Sequence, residues 1–151
     1  AAGNGHTKVV RLLIKKGRLD PEVTDEHDRT PLSWAAGRGH EGVVKLLLAM
    51  DDVNPDSADD KGWTPLSWAA GNGCAKVAKL LLEKASKATV NLVDNEGRTP
   101  LSWAAGGGHN TVANMLLLDG NADADVQDNE GQTPLSWAAK EGHRAVAWTL
   151  L

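Results

Sequence analysis

The sequence predicts an all-α repeat solenoid, which is a stack of short helical units without a single central core. The first observation is the heptapeptide Thr-Pro-Leu-Ser-Trp-Ala-Ala, which begins at Thr30, Thr64, Thr99 and Thr133. By subtraction, the copies are 34, 35 and 34 residues apart, a period typical of stacked supersecondary units. The second observation is an ordinary folded-protein composition, with 41% hydrophobic and 24% charged residues.

Each unit is predicted to begin with a turn and a capped short helix. In the third full unit, Gly97 ends a turn signal and supplies a positive φ without steric cost. Thr99 stands where a helix N-cap belongs, and Pro100 follows at the first helical position, where its missing N–H costs nothing. The sequence therefore predicts a short helix from Leu101 to Ala105, whose two final alanines allow a neighbouring helix to come close.

A second, longer helix is predicted to follow in each unit. Three glycines at 106–108 end the first helix, and His109 and Asn110 begin the next. Its apolar residues follow a three-four spacing: Val112, Ala113, Met115, Leu116 and Leu117. So wide an apolar face needs cover from both the short helix and the next unit. The polar segment 121–129 is then expected to form an extended turn or hairpin.

This order of turn, Thr-Pro-Leu-x-x-Ala-Ala, short helix, Gly-His and longer helix resembles the ankyrin-repeat pattern over essentially the whole chain. The resemblance implies an L-shaped stack in which turn tips and short helices form a concave binding surface. We expect one array over 1–151, with a partial repeat at 1–24, repeats at 25–58, 59–93 and 94–127, and a partial repeat at 128–151. The Ser-Trp variant of the motif resembles repeats of fungal multidomain proteins.

The sequence departs from that pattern in the length of its period and at one turn position. The period exceeds the usual ~33 residues, and the extra residues fall at 53–58, 84–89 and around 119–122, where they lengthen surface loops at little cost. Asp28 stands where the other turns have Gly62, Gly97 and Gly131. If its turn has a positive φ, the aspartate is strained where glycine is not.

Other recurring residues are interpreted as architectural. A histidine recurs at the start of each second helix and forms a column along the stack, with Cys74 at this position in one unit. Successive positions lie roughly 10 Å apart, so these side chains cannot share a zinc ion, whose bonds are near 2 Å. The segment 119–130 has the spacing of a calcium loop but carries Ala124 where glycine is required. The sequence thus predicts no metal and no cofactor. The resemblance implies that one aspartate per unit ties adjacent hairpins together through backbone N–H groups; these are Asp25, Asp59, Asp94 and Asp128.

The tryptophans are the main candidates for specificity, and two interpretations stay open. The column Trp34, Trp68, Trp103 and Trp137, with rungs too far apart for ring-on-ring contact, either packs between units or offers indole N–H groups to a partner. Trp63 lies at a turn tip where other units have Arg29, Arg98 and Gln132. It is either an exposed contact for a partner or a side chain lying across a neighbouring hairpin.

The remaining candidate partner-binding residues are charged or polar and of mixed sign, which favours a protein partner over a polyanion. The full candidate set comprises Trp63, Arg29, Arg98, Gln132, His27, Lys61, Glu96, Glu130, Arg38, Asn72, Lys140, Trp68 and Trp103.

These observations predict a non-enzymatic scaffold for protein–protein interaction. The net charge of −4 argues against nucleic acid, no run reaches the ~20 apolar residues of a membrane span, and no catalytic constellation is implied. A regulatory or targeting segment of a larger enzyme or signalling protein is the alternative, and a small-ligand binder or repeat-built enzyme is a third. A single cysteine and the lack of a glycosylation sequon fit an intracellular protein.

The ends of the chain resemble interior units, and both termini look truncated. Terminal repeats normally have a polar outer face, whereas Leu12 and Leu13 lie near one end and Val146, Trp148, Leu150 and Leu151 near the other. We therefore expect uncovered apolar ends, and hence end-to-end self-association or frayed termini.

Overall fold

A computed structural model describes residues 1–17, 20–84 and 89–151. Its α-helices are α1 (Thr7–Lys15), α2 (Pro31–Gly37), α3 (Glu41–Leu47), α4 (Pro65–Gly71), α5 (Ala75–Leu82), α6 (Pro100–Gly106), α7 (Asn110–Leu118), α8 (Pro134–Lys140) and α9 (Arg144–Leu150). Short 3₁₀ turns cover Ala2–Asn4 and Thr89–Asn91.

The helices form two layers. The short helices α2, α4, α6 and α8 pack against one another in chain order and make an inner layer. The helices α1, α3, α5, α7 and α9 do the same and make an outer layer, and each inner helix also packs on the outer helix that follows it. Contacts therefore run between neighbours along the chain, which confirms the predicted all-α solenoid. The expectation of a longer second helix is wrong for α3 and α9, which have 7 residues each, like the inner helices.

The heptapeptide forms every inner helix in the same way. The hydroxyl oxygen of Thr99 accepts the backbone N–H of Ser102 at 3.2 Å, and Pro100 occupies the first turn. The hydroxyl groups of Thr99 and Ser102 also lie 3.1 Å apart in a buried hydrogen bond. The same bonds recur at Thr30, Thr64 and Thr133. The threonine cap and the serine three residues later thus act together at the helix start.

The core lies between the two layers. Leu66 and Leu101 of the inner helices and Leu81 and Leu116 of the outer helices are 0% exposed. The alanine pairs of α2, α4 and α6 are also 0% exposed, so the inner helices meet through their smallest side chains. Ala139 of α8 is exposed, since no further inner helix covers that side in the structure.

Where the connections between units are described, they consist of turns and irregular segments with one 3₁₀ turn, and this part of the chain contains no β-strand. Adjacent turns are joined by single backbone hydrogen bonds: from Asp60 N–H to His27 O, from Asn95 N–H to Lys61 O, and from Asn129 N–H to Glu96 O, at 2.9 to 3.1 Å. The expected extended hairpin at 121–129 is therefore a series of turns. The lengthened loop expected at 84–89 falls mostly at 85–88, outside the described residues.

The turn at Asp28 has the predicted strain. Its φ is +56°, close to the +74° to +79° of the equivalent glycines, and the side chain is exposed. We expect Asp28→Gly to raise the free energy of unfolding by about 1 kcal/mol, since glycine adopts this conformation without a Cβ penalty. Thermal unfolding measures the change, with Asp28→Asn as a control that keeps the Cβ. A melting temperature at or below that of the unaltered chain would contradict the expectation.

Candidate functional site

Each inner-layer tryptophan is anchored to the aspartate that begins its own unit. The indole N–H groups of Trp34, Trp68, Trp103 and Trp137 donate to the Oδ2 atoms of Asp25, Asp59, Asp94 and Asp128 at 2.7 to 2.8 Å. The other carboxylate oxygen accepts two backbone N–H groups of the same turn, two and four residues later. The implied role of these aspartates is therefore corrected, because their side chains brace their own turn and backbone bonds join adjacent turns.

The hydrogen bonds lower the pKa of two of these carboxyl groups. For Asp25, desolvation raises the pKa, but the N–H groups of His27 and Arg29, the Trp34 indole and the Arg29 charge outweigh it and lower the pKa to about 2. For Asp128, desolvation again opposes the same kinds of donors and the charge of Arg98, and the pKa falls below its ordinary range. Both groups are thus held as anions by their own turns.

The indoles and the residues at the turn tips interleave into one ladder. The Arg29 guanidinium lies 3.9 Å from the Trp34 ring centroid and 5.5 Å from that of Trp68. The Arg98 guanidinium lies 4.5 Å from Trp103 and 3.8 Å from Trp137. Each arginine therefore joins the tryptophan of its own unit to that of the next by cation–π contact.

Trp63 takes the place of an arginine in the middle of this ladder. Its ring centroid lies 4.6 Å from Trp68 and 4.2 Å from Trp103, tilted by 46° to each. Trp63 is half-buried, so it does not project from the turn as an exposed side chain. The indole rings of successive inner helices were expected roughly 10 Å apart. Trp63 and the two arginines fill the space between them.

The glycines that end α2, α4 and α6 each pack against the tryptophan of the next inner helix. A Cβ on Gly37 would lie 3.3 Å from Trp68 Cε3, and a Cβ on Gly71 would lie 3.4 Å from Trp63 Cζ3. The indole column is thus packed on the preceding helix end on one side and bound to aspartate through its N–H. It offers no free N–H to a partner, because each is already donated.

Two cavities open on the ladder at equivalent positions. The first has a volume of about 170 Å³ and lies between α2 and α4, lined chiefly by Arg29, Ser33, Trp34, Arg38, Trp68 and Asn72. The second has about 300 Å³ and lies between α6 and α8, lined chiefly by Arg98, Ser102, Trp103, Gly107, Trp137 and Glu141. Trp63 lies over Gly71 at the corresponding place between α4 and α6.

The structure divides the candidate binding residues into two groups. Arg29, Arg98, Gln132, Trp63, Trp68 and Trp103 are half-buried parts of the ladder or its edge. His27, Lys61, Glu96, Glu130, Arg38, Asn72 and Lys140 are exposed. Sequence reasoning missed the indole-to-aspartate bond, although the signal was there: each aspartate precedes its tryptophan by nine residues in all four units.

The histidine column joins successive units. His40 Nε2–H donates to the carbonyl of Gly3, His109 to Gly71 and His143 to Gly106, at 3.0 to 3.1 Å. Cys74 occupies the equivalent position in its own unit. Its thiol lies 3.9 Å from the Gly37 carbonyl, and burial raises the thiol pKa. No group of three or more potential metal ligands forms among the described residues.

We expect Cys74→His to stabilise the chain by about 1 kcal/mol, because an imidazole can restore the missing bond to the Gly37 carbonyl. The space is available because Gly39 has no Cβ that would block the ring. In the same way, Gly73 leaves room for the ring of His109. Urea denaturation measures the change, with Cys74→Ala as the control for loss of the thiol alone. A midpoint no higher than that of Cys74→Ala would contradict the predicted bond.

The stacked helix pairs and their capped turns define a helical repeat protein. A family model described as ankyrin repeats (3 copies) matches residues 1–92 and 86–151, and the chain belongs to the ankyrin-repeat family. A search of curated proteins finds no match to this chain. Ankyrin repeats are generally protein–protein interaction modules, and proteins built from them are typically non-enzymatic scaffolds. None of the helices in the described ranges is long and apolar enough to cross a membrane.

Proposed function

We propose that this array binds a protein partner through the surface formed by its turn tips and inner helices, the concave face that the family resemblance implies. The observation that carries the proposal is the ladder, which runs from α2 to α8 beneath the exposed turn tips. A tip braced by aspartate, indole and arginine loses little conformational entropy on binding, so its contacts contribute more fully to affinity.

The exposed tips supply the specificity in this proposal. His27, Lys61, Glu96 and Glu130 follow one another along the stack, with backbone bonds joining neighbouring turns. Their charges change along the stack, from positive or neutral at His27 and Lys61 to negative at Glu96 and Glu130, which suits a partner with patterned charge better than a uniform polyanion such as nucleic acid. Trp68 and Trp103 contribute ring surface at the floor of this face, since their N–H groups are engaged.

Site-specific photocrosslinking tests the binding face. A photoreactive amino acid is placed at Lys61 of a turn tip or at Lys79 of α5, which are both exposed lysines but lie on different faces. We expect a partner from cell extract to crosslink from position 61, to be competed by excess unlabelled chain, and not to crosslink from position 79. Competed crosslinks from position 79 alone would place the interface on the outer helices and refute the proposed face.

The proposed function also concerns the cellular compartment of the module and its lack of catalysis. We infer an intracellular scaffold without catalytic activity of its own, in keeping with the single half-buried thiol of Cys74. If the array instead regulates or targets the chain in which it lies, the crosslinked partner is a segment of that same polypeptide, and mass spectrometry of the crosslinked peptide identifies it.

We further propose end-to-end self-association. Val9 and Leu12 of α1 are 46% and 55% exposed, and Trp148 of α9 is 67% exposed, while Val146 is buried. Apolar side chains exposed at both ends of the stack would be covered if copies met end to end. We expect light scattering to show an average mass that rises with protein concentration. The Trp148→Lys variant is expected to have the mass of the monomer. A monomeric mass at every concentration would refute self-association.

A further inference from the structure

The cavity between α2 and α4 is lined by two arginines of the ladder and its edge. Arg29 and Arg38 both line it, and none of its lining residues carries a carboxylate; the carboxylate of Asp25 lies 3.4 Å from Arg29 Nε. Its floor is formed by the rings of Trp34 and Trp68 and by Ser33, which is 2% exposed. Because the chain as a whole carries a net charge of −4, this positive cavity is a local feature and not part of a basic surface.

Both guanidinium groups are held in place before any partner arrives. Arg29 lies between two indole rings, and its Nε is 3.4 Å from Asp25 Oδ2. Arg38 lies 4.9 Å from the Trp34 centroid and donates to the Gly3 carbonyl and the Asn4 side chain at 3.1 Å. Arginine fixed in this way keeps its planar fork of donors and loses little entropy when it binds a carboxylate.

The equivalent cavity between α6 and α8 has the opposite character. Gly107 replaces Arg38, and Glu141 replaces Asn72. Its one arginine, Arg98, also lies 3.5 Å from Glu96 and 3.6 Å from Asp128. Two carboxylates therefore lie near Arg98, and a third, that of Glu141, lines the same cavity. This second cavity serves as a matched comparison within the same chain.

We propose that the cavity between α2 and α4 receives an aspartate or glutamate side chain of the partner, which pairs with Arg29 and Arg38. This inference rests on the proposed protein-binding function and names the chemistry of one contact. A volume of about 170 Å³ suits a single side chain and is smaller than the ~300 Å³ at which small-molecule sites begin. The planar carboxylate matches the guanidinium fork, and the indole floor excludes water from the pair.

Peptide selection followed by titration tests the proposal. Random dodecapeptides displayed on phage are selected on the unaltered chain, and the recovered peptides are synthesised and titrated while the indole N–H signals are followed by NMR. We expect the recovered peptides to share an acidic residue and to shift the Trp34 and Trp68 signals more than that of Trp137. Replacing that acidic residue with its amide is expected to weaken binding about tenfold, which corresponds to ~1.4 kcal/mol.

Two variants and one control locate the contact. Arg38→Ala removes one guanidinium, and Asn72→Asp introduces the carboxylate that Glu141 supplies in the other cavity; each is expected to weaken binding about tenfold. Arg144→Ala removes an exposed arginine of α9 and is expected to change nothing. If amide peptides or either variant bind as tightly as the originals, the acidic contact is refuted while binding to the inner face stands. Peptides that shift only outer-helix signals refute the proposed binding face itself.

Discussion

Asp128→Asn is expected to destabilise the chain by about 3 kcal/mol. The side chain keeps its shape, but an amide NH₂ replaces the Oδ2 atom that accepts the Trp137 indole N–H at 2.8 Å, so two donors face each other. The charge beside Arg98 is lost as well. A buried donor left without its acceptor costs ~1–3 kcal/mol, and hydrogen bonds to charged groups contribute ~1.5–3 kcal/mol. Urea denaturation measures the loss.

The pH dependence separates this effect from a loss of general charge. The folded state depresses the pKa of Asp128, so its stabilising contribution is complete above the ordinary value of 3.8 and disappears as the pH falls through the folded-state pKa. The difference between the unaltered chain and Asp128→Asn should therefore shrink as the pH is lowered below 3.8. Asp125→Asn, an exposed neighbour with the same charge change, should cost under ~0.5 kcal/mol at any pH. Equal losses in the two variants would contradict the anchoring role of Asp128.

Trp63→Ala is the second substitution with a large expected effect. It removes the ring that fills the space between Trp68 and Trp103 and lies over Gly71. Truncation of a fully buried tryptophan costs ~3–5 kcal/mol, and for this half-buried ring we expect about 2–3 kcal/mol. Because the three indoles are in contact, the far-ultraviolet circular dichroism should also lose the coupled signal of stacked indole rings.

Two further variants make that expectation specific. At protein concentrations where the chain is monomeric, Trp148→Ala removes an indole that is 67% exposed and should cost under ~0.5 kcal/mol. Trp63→Arg places in the ladder the residue that Arg29 and Arg98 already provide, and it should restore at least half of the lost stability through cation–π contact. A destabilisation by Trp63→Arg as large as that by Trp63→Ala would show that the site does not tolerate the pattern of its neighbours.

The fold could be predicted because its determinants are local and repeated. The cap at Thr99, the proline at Pro100 and the small residues of the alanine pair each act within one or two turns of helix, and four copies in register remove ambiguity. An extended hairpin at 121–129, one of the two forms expected there, is not observed; it would have depended on pairing between backbone segments. Such pairing is decided by the geometry of neighbouring units and has no short-range signal in the residues themselves.

The candidate site was predictable as a set of positions but not as an arrangement. Sequence register placed Arg29, Trp63 and Arg98 at one position of the repeat, but it left open whether Trp63 is exposed to a partner or lies across a neighbouring hairpin. The side chains turn inward because a flat guanidinium or indole gains more from two ring faces than from water. The gap between successive indoles that invites this insertion exists only once the helices are stacked, so the sequence could not show that these side chains would fill it.

The missing imidazole at Cys74 has a consequence for how the molecule comes apart. In a linear array, stability is a sum of terms for each unit and for each interface between nearest neighbours. Along the described chain, the junction between α2–α3 and α4–α5 is the one whose histidine position carries a thiol. We therefore expect this junction to be less cooperative than the two that follow it, and partial denaturation to release α1 to α3 as a block. The substitution at one position would then divide the array into two folding blocks, and the more stable block would begin at the unit that contains Trp63.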